Sequence, residues 1–204
     1  MKFRSMIPLT MITISCAAPS LQAQENQAQR TANQVCASCH GPGGVSISPA
    51  FPNLAGQQKT YLEGQLKAFR DRTRADPMAQ AYMWGMTSQL SDQILGDLAG
   101  YYSAQPPARG KLGDPKLIQT GRTIYEQGIP AAKVQACVTC HGKDAEGNAT
   151  FPRLAGQHSE YLVKQLVLFK SELRADVNAA IMHNISGGMS FDQMEAVAAY
   201  LMSR

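Results

Sequence analysis

With 204 residues the chain has room for one large domain or two of about 100 residues, and its 44% hydrophobic and 17% charged residues are those of an ordinary soluble protein. No apolar run is long enough to cross a bilayer, which argues against an integral membrane protein. The formal charge of +4 falls to +2 once the two bases and no acids of residues 1–23 are removed, and it is spread evenly, which excludes the concentrated basic face of a nucleic-acid binder.

In chain order, residues 1–23 read as a secretory signal: Lys2 and Arg4 form the charged start, Met6 to Ala18 the short apolar core, and Leu21-Gln22-Ala23 the small-residue cleavage site. The mature chain is expected to begin near Gln24. Cys36-Ala-Ser-Cys-His40 comes next, then Phe51-Pro-Asn-Leu-Ala-Gly-Gln57. Tyr61, Leu62, Leu66 and Phe69 recur at i, i+1, i+5 and i+8, and this single apolar stripe predicts a helix. Ser91 is placed as the N-cap of a last helix that carries Leu95, Leu98 and Tyr101 at i, i+3 and i+6. Pro106-Pro107, Gly110 and Gly113 then break any regular pattern.

The same order begins again. Gly121-x-x-x-Tyr125 opens the second half, followed by Cys137-Val-Thr-Cys-His141, Phe151-Pro-Arg-Leu-Ala-Gly-Gln157, the stripe Tyr161, Leu162, Leu166 and Phe169, and Ser190 before Met194, Val197 and Tyr200. The Phe-Pro segments share six residues of seven at an offset of 100, an agreement whose chance is on the order of one in 10⁷. Gln65-Leu66 and Arg74-Ala75-Asp76 likewise return as Gln165-Leu166 and Arg174-Ala175-Asp176. The chain is therefore a tandem duplication, read as a signal at 1–23, a first domain at 24–104, a linker at 105–111 and a second domain at 112–204. Strand signals are absent, so the fold class is all-α. Halves of this size with long loops have little apolar side chain to bury, and a planar hydrophobic cofactor would fill the deficit.

Cys-x-x-Cys-His is the attachment signature of c-type haem: two thiols on one helical turn form thioethers to the vinyl groups, and the next residue turns its imidazole to the iron. A shared zinc site is disfavoured, because a zinc ribbon spaces its cysteine pairs by 15–20 residues and here each pair belongs to its own repeat. A thioredoxin-like pair would need a preceding strand. Cys36, Cys39, Cys137 and Cys140 are thus expected to hold two haem c groups, with His40 and His141 on the iron. The carbonyls of residues 49–52 are candidates to receive the free N–H of His40. His158, His183 and Trp84 have no like residue at the matching place in the other half and are read as packing residues.

These motifs, with the Tyr-Leu-x-x-Gln-Leu helices and Gly121-x-x-x-Tyr125, resemble the dihaem cytochrome c4 family, tandem class I cytochrome c domains of bacterial periplasms, over nearly the whole mature chain. The resemblance implies short helices and loops wrapped around each haem, His and Met as ligands to each iron, and electron shuttling to terminal oxidases. The first half departs from it in lacking counterparts of Gly121 and Tyr125, with Arg30-Thr31-Ala32 leading into Cys36 instead. The repeat then selects the methionines. After the Arg-Ala-Asp segments the offset becomes 99, and in that frame Met83 faces Met182, whereas Met86 faces Ile185, Met189 faces Leu90 and Met194 faces Leu95. Met83 and Met182 are the expected distal ligands. The function expected is that of a periplasmic electron carrier with redox-protein partners and no catalytic residues of its own. The alternatives are a cytochrome subunit of a dehydrogenase complex and, in the enzyme class, a dihaem peroxidase, which would need an open iron position and nearby acid–base groups.

Overall fold

The computed structural model describes residues 26–176 and 179–204; the segment 1–23 expected to be a secretory signal lies outside them. Every regular element among the described residues is helical, and extended pairing is limited to the isolated bridges Ile129–Val134 and Asn148–Phe151.

The first half contains α1 (Gln27–Thr31), which runs through a π turn at Ala32–Cys36 into α2 (Ala37–His40), then α3 (Lys59–Arg70), a second π turn at Ala79–Met83 leading into α4 (Trp84–Thr87), and α5 (Asp92–Ser103). The second half contains α6 (Pro115–Gln127), α7 (Val138–His141), α8 (Ser159–Lys170), α9 (Ala179–Gly187) and α10 (Phe191–Met202). Local chemistry sets the starts. Ser91 accepts from the Ile94 amide and Ser190 from that of Gln193, as expected, and Gln193 returns a bond to the Ser190 amide to complete a capping box. Asp114 caps α6, whose first residue is Pro115.

In each half the first helix crosses the last. Gly121 makes this possible in the second half, because a Cβ there would stand 1.9 Å from the Ala196 carbonyl oxygen of α10. Tyr125, Ile124, Met194, Val197 and Tyr200 pack around that crossing. The first half solves the same problem with a shorter helix and alanines: Ala28 and Ala32, each 2% exposed, lie in one cluster with Leu98, Ala99 and Tyr102.

Candidate functional site

Each Cys-x-x-Cys-His segment forms a turn or two of helix that ends on its histidine, and the glycine after it takes a left-handed conformation, φ +75° at Gly41 and +87° at Gly142, which turns the chain back under the imidazole. His40 Nδ1 lies 2.9 Å from the Pro52 carbonyl oxygen, and His141 Nδ1 lies 3.0 Å from that of Pro152. A carbonyl only accepts, so Nδ1 carries the hydrogen in both rings and Nε2 keeps its lone pair for a metal. Burial holds both imidazoles below the usual histidine pKa, against the raising effect of the carbonyl, so they stay neutral and able to ligate. Phe51 and Phe151 stand edge-on to these rings at centroid distances of 6.1 and 6.3 Å. The Phe-Pro pair of each repeat therefore orients the histidine of its own half.

One cavity of about 300 Å³, walled mainly by apolar side chains, reaches both halves. Cys36, His40 and Met83 line it from one side, and Cys137, Cys140, His141 and Met182 from the other; Cys39 lies half-buried on α2 outside the lining. Burial raises the thiol pKa of Cys36, and that of Cys137 to about 11. Met83 and Met182 are both half-buried, and each backbone carbonyl accepts a hydrogen bond from a buried hydroxyl one turn on, Thr87 at 2.8 Å and Ser186 at 2.6 Å. Of the rival methionines Met86 is 57% exposed, whereas Met78 and Met189 also reach the cavity. The donor set and the apolar wall fit a haem in each half: a neutral imidazole with a free lone pair, a thioether and at least one thiol of each pair line the cavity, with Cys39 beside it on α2. Tyr102 lines the same space, and its hydroxyl is buried with no hydrogen-bond partner among the described residues.

The polar residues that the two halves share form the contact between them, a role the sequence reading did not assign. Gln57 Oε1 accepts from the Arg153 amide at 2.7 Å and its Nε2 donates to the Arg153 carbonyl at 2.9 Å. Gln157 does the same to Asn53, at 2.8 and 3.0 Å. A second reciprocal cluster joins the Arg-Ala-Asp segments to α3 and α8. Arg74 Nη2 donates to Gln165 and Arg174 Nη2 to Gln65, each at 3.0 Å, and Arg174 Nη2 also reaches Tyr61 Oη at 3.0 Å. Each guanidinium is held by its own aspartate, Asp76 at 2.9 Å and Asp176 at 2.7 Å, and lies over Phe69 or Phe169. These buried charges are paired and hydrogen-bonded, as burial requires.

Two residue pairs read as unmatched also serve matching purposes. Trp84 Nε1 donates to the Arg74 carbonyl at 2.9 Å and His183 Nε2 to the Arg174 carbonyl at 2.7 Å, so different rings close the same turn. Gln58 reaches across to the Glu146 carbonyl at 2.8 Å, and His158 reaches back to that of Ser46 at 3.0 Å. Residue type hid both correspondences; only the shared acceptor position reveals them.

The family model for cytochrome c matches residues 26–103 and 118–204. The chain is 39% identical over 175 residues to cytochrome c4 of Azotobacter vinelandii, covering 82% of this chain and 83% of that protein. It is 35% identical over 182 residues to a thiosulfate dehydrogenase electron acceptor of Thiomonas intermedia, covering 83% and 78%. The solved cytochrome c4 of Acidithiobacillus ferrooxidans superposes with a TM-score of 0.77 at 39% identity, over 83% of this chain and 98% of that one. Duplicated haem-attachment turns, an all-helical fold in two halves and relatives that span both halves make one consistent finding: the chain belongs to the cytochrome c4 family, electron-transfer proteins built from two tandem cytochrome c domains with a covalent haem in each.

Proposed function

We propose that the chain is an exported carrier that moves single electrons between redox proteins of the periplasm. In this reading residues 1–23 direct export, and 24–104 and 112–204 are the two domains, joined by 105–111. Cys36 and Cys39 hold one haem and Cys137 and Cys140 the other, with His40–Met83 and His141–Met182 as the axial pairs. The bound haem supplies a reversible one-electron iron couple. The protein's part is to fill both axial positions, exclude water and other ligands, and keep the two centres in fixed relation.

The observation that carries this reading is the matched arrangement on a common cavity: an oriented, neutral imidazole and a half-buried methionine in each half. Filled axial positions suit electron transfer and leave no site for peroxide. No histidine or glutamate is duplicated beside Met83 and Met182 to serve as the acid–base group a peroxidase needs, and the duplicated Asp76 and Asp176 are each bound to a guanidinium, that of Arg74 or Arg174. The electron donor is proposed to be a periplasmic dehydrogenase, with thiosulfate dehydrogenase as the instance that the Thiomonas relative's name supports, and the acceptor a terminal oxidase. Stopped-flow mixing tests this. The ferric protein should be reduced by a thiosulfate-supplied dehydrogenase and reoxidised by an oxidase-containing membrane fraction, while the ferrous form stays inert to carbon monoxide. Rapid carbon monoxide binding, or peroxide turnover without a partner, would overturn it.

A further inference from the structure

We infer that the hydroxyl of Tyr102 tunes the haem of the first half alone, by donating a hydrogen bond to the sulfur of Cys36. The inference rests on the haem assignment above and extends it to a residue outside the ligand set.

Tyr102 lies on α5, is 4% exposed, and packs in the first half's core beside Cys36. Its ring is pressed against Gly44, where a Cβ would come within 2.7 Å of Cδ1, so the ring has little freedom to turn away. The hydroxyl is buried with no hydrogen-bond partner among the described residues, and Tyr102 and Cys36 pack in the same core cluster and line the same cavity. A buried hydroxyl without a partner costs about 1–3 kcal/mol, so its persistence in a tight core calls for an acceptor.

Haem attachment fixes the direction of that contact. A free thiol could donate to the tyrosine oxygen, but a thioether sulfur has no hydrogen and can only accept, weakly. In the loaded protein the bond must run from Tyr102 O–H to Cys36 sulfur. The positive end of the O–H dipole then points at the haem edge and favours the more electron-rich ferrous state. Hydrogen bonding around a haem is one of the means by which a protein sets its potential.

The second half has no equivalent. The position matching Tyr102 is Leu201, and the nearby tyrosine comes instead from α6: Tyr125 gives its hydroxyl to the Gly142 carbonyl at 2.6 Å. The duplicated chain therefore carries a built-in asymmetry at one thioether, which would set the two haems apart in potential.

The test uses the full dihaem protein with Tyr102→Phe, which keeps the ring and its packing, and Tyr102→Leu, which installs the second half's residue. Nuclear magnetic resonance during a redox titration distinguishes the haems through their contacts to Cys36 and Cys137. At a fixed ambient potential both variants should lower the ferrous-to-ferric ratio of the first haem by about two- to fivefold, the scale of one modest hydrogen bond. The second haem should be unchanged, and carbon monoxide should still be excluded, which separates loss of a hydroxyl from opening of the pocket. Equal shifts at both haems, no shift at the first, or a shift accompanied by carbon monoxide binding would overturn the inference while leaving the haem assignment standing. Wild-type protein with no haem on Cys36 by intact mass would overturn both.

Discussion

Replacing Gln157 with alanine should loosen the contact between the halves without disturbing either haem turn. Gln157 is 6% exposed and Asn53 is 8% exposed, so the two bonds between them form away from water. Alanine leaves the Asn53 amide and carbonyl buried and unpaired, at about 1–3 kcal/mol for each group, or roughly 2–6 kcal/mol in all. The loss falls on the contact between the halves. Trp84, the one tryptophan in the chain, reports on the first half by fluorescence, and far-UV ellipticity reports on both. In denaturant the wild type should give coincident transitions by the two probes, whereas Gln157→Ala should shift the midpoint and split them. Gln58→Ala is the control: it removes one more exposed cross-domain bond and should cost about 1 kcal/mol or less. If Gln157→Ala kept coincident transitions and shifted no further than Gln58→Ala, the amide clamp would not be what joins the halves.

Gly121→Ala should destabilise the second half by about 3 kcal/mol or more, since its Cβ would meet the Ala196 carbonyl, whereas Gly64→Ala, with open space around it on α3, should stabilise by about 0.5–1 kcal/mol; denaturant midpoints read both. Burial, aided by the nearby Lys111, lowers the pKa of His158 below its ordinary 6.5, although the Ser46 carbonyl opposes the shift. The folded state therefore binds this proton less readily than the unfolded chain, and the resulting stability is present in full above about pH 6.5 and is lost as pH falls through the lower folded pKa. His158→Gln, the residue of the other half, should keep a donor for Ser46 and flatten that part of the stability–pH curve; an unchanged curve would refute the assignment.

Features set by neighbours in sequence were legible. Ser91 and Ser190 cap the last helices, the apolar stripes form α3 and α8, and a carbonyl within residues 49–52, that of Pro52, receives the imidazole N–H. Each follows from spacing within one turn or one short loop. The contact between the halves was not legible, although its residues were in view. Gln57, Gln65, Arg74 and Asp76 recur in the second half outside the haem-attachment motifs, and a polar residue repeated without a ligand role is the signal that could have located it. Which half each side chain serves depends on the folded arrangement: Gln57 bonds the other repeat, while Pro52, five residues earlier, serves its own. The pairing of Trp84 with His183 was hidden for a related reason, because a carbonyl needs an N–H and is indifferent to the ring that supplies it.

The ligand assignment is tested most directly by the far-red sulfur-to-iron bands of the oxidised protein. Met83→Ala and Met182→Ala should each remove one of two such bands and open that haem alone to carbon monoxide, while Met86→Ala and Met189→Ala keep both bands. Retention of both bands in either of the first two variants, with loss of one in Met86→Ala or Met189→Ala, would contradict the account.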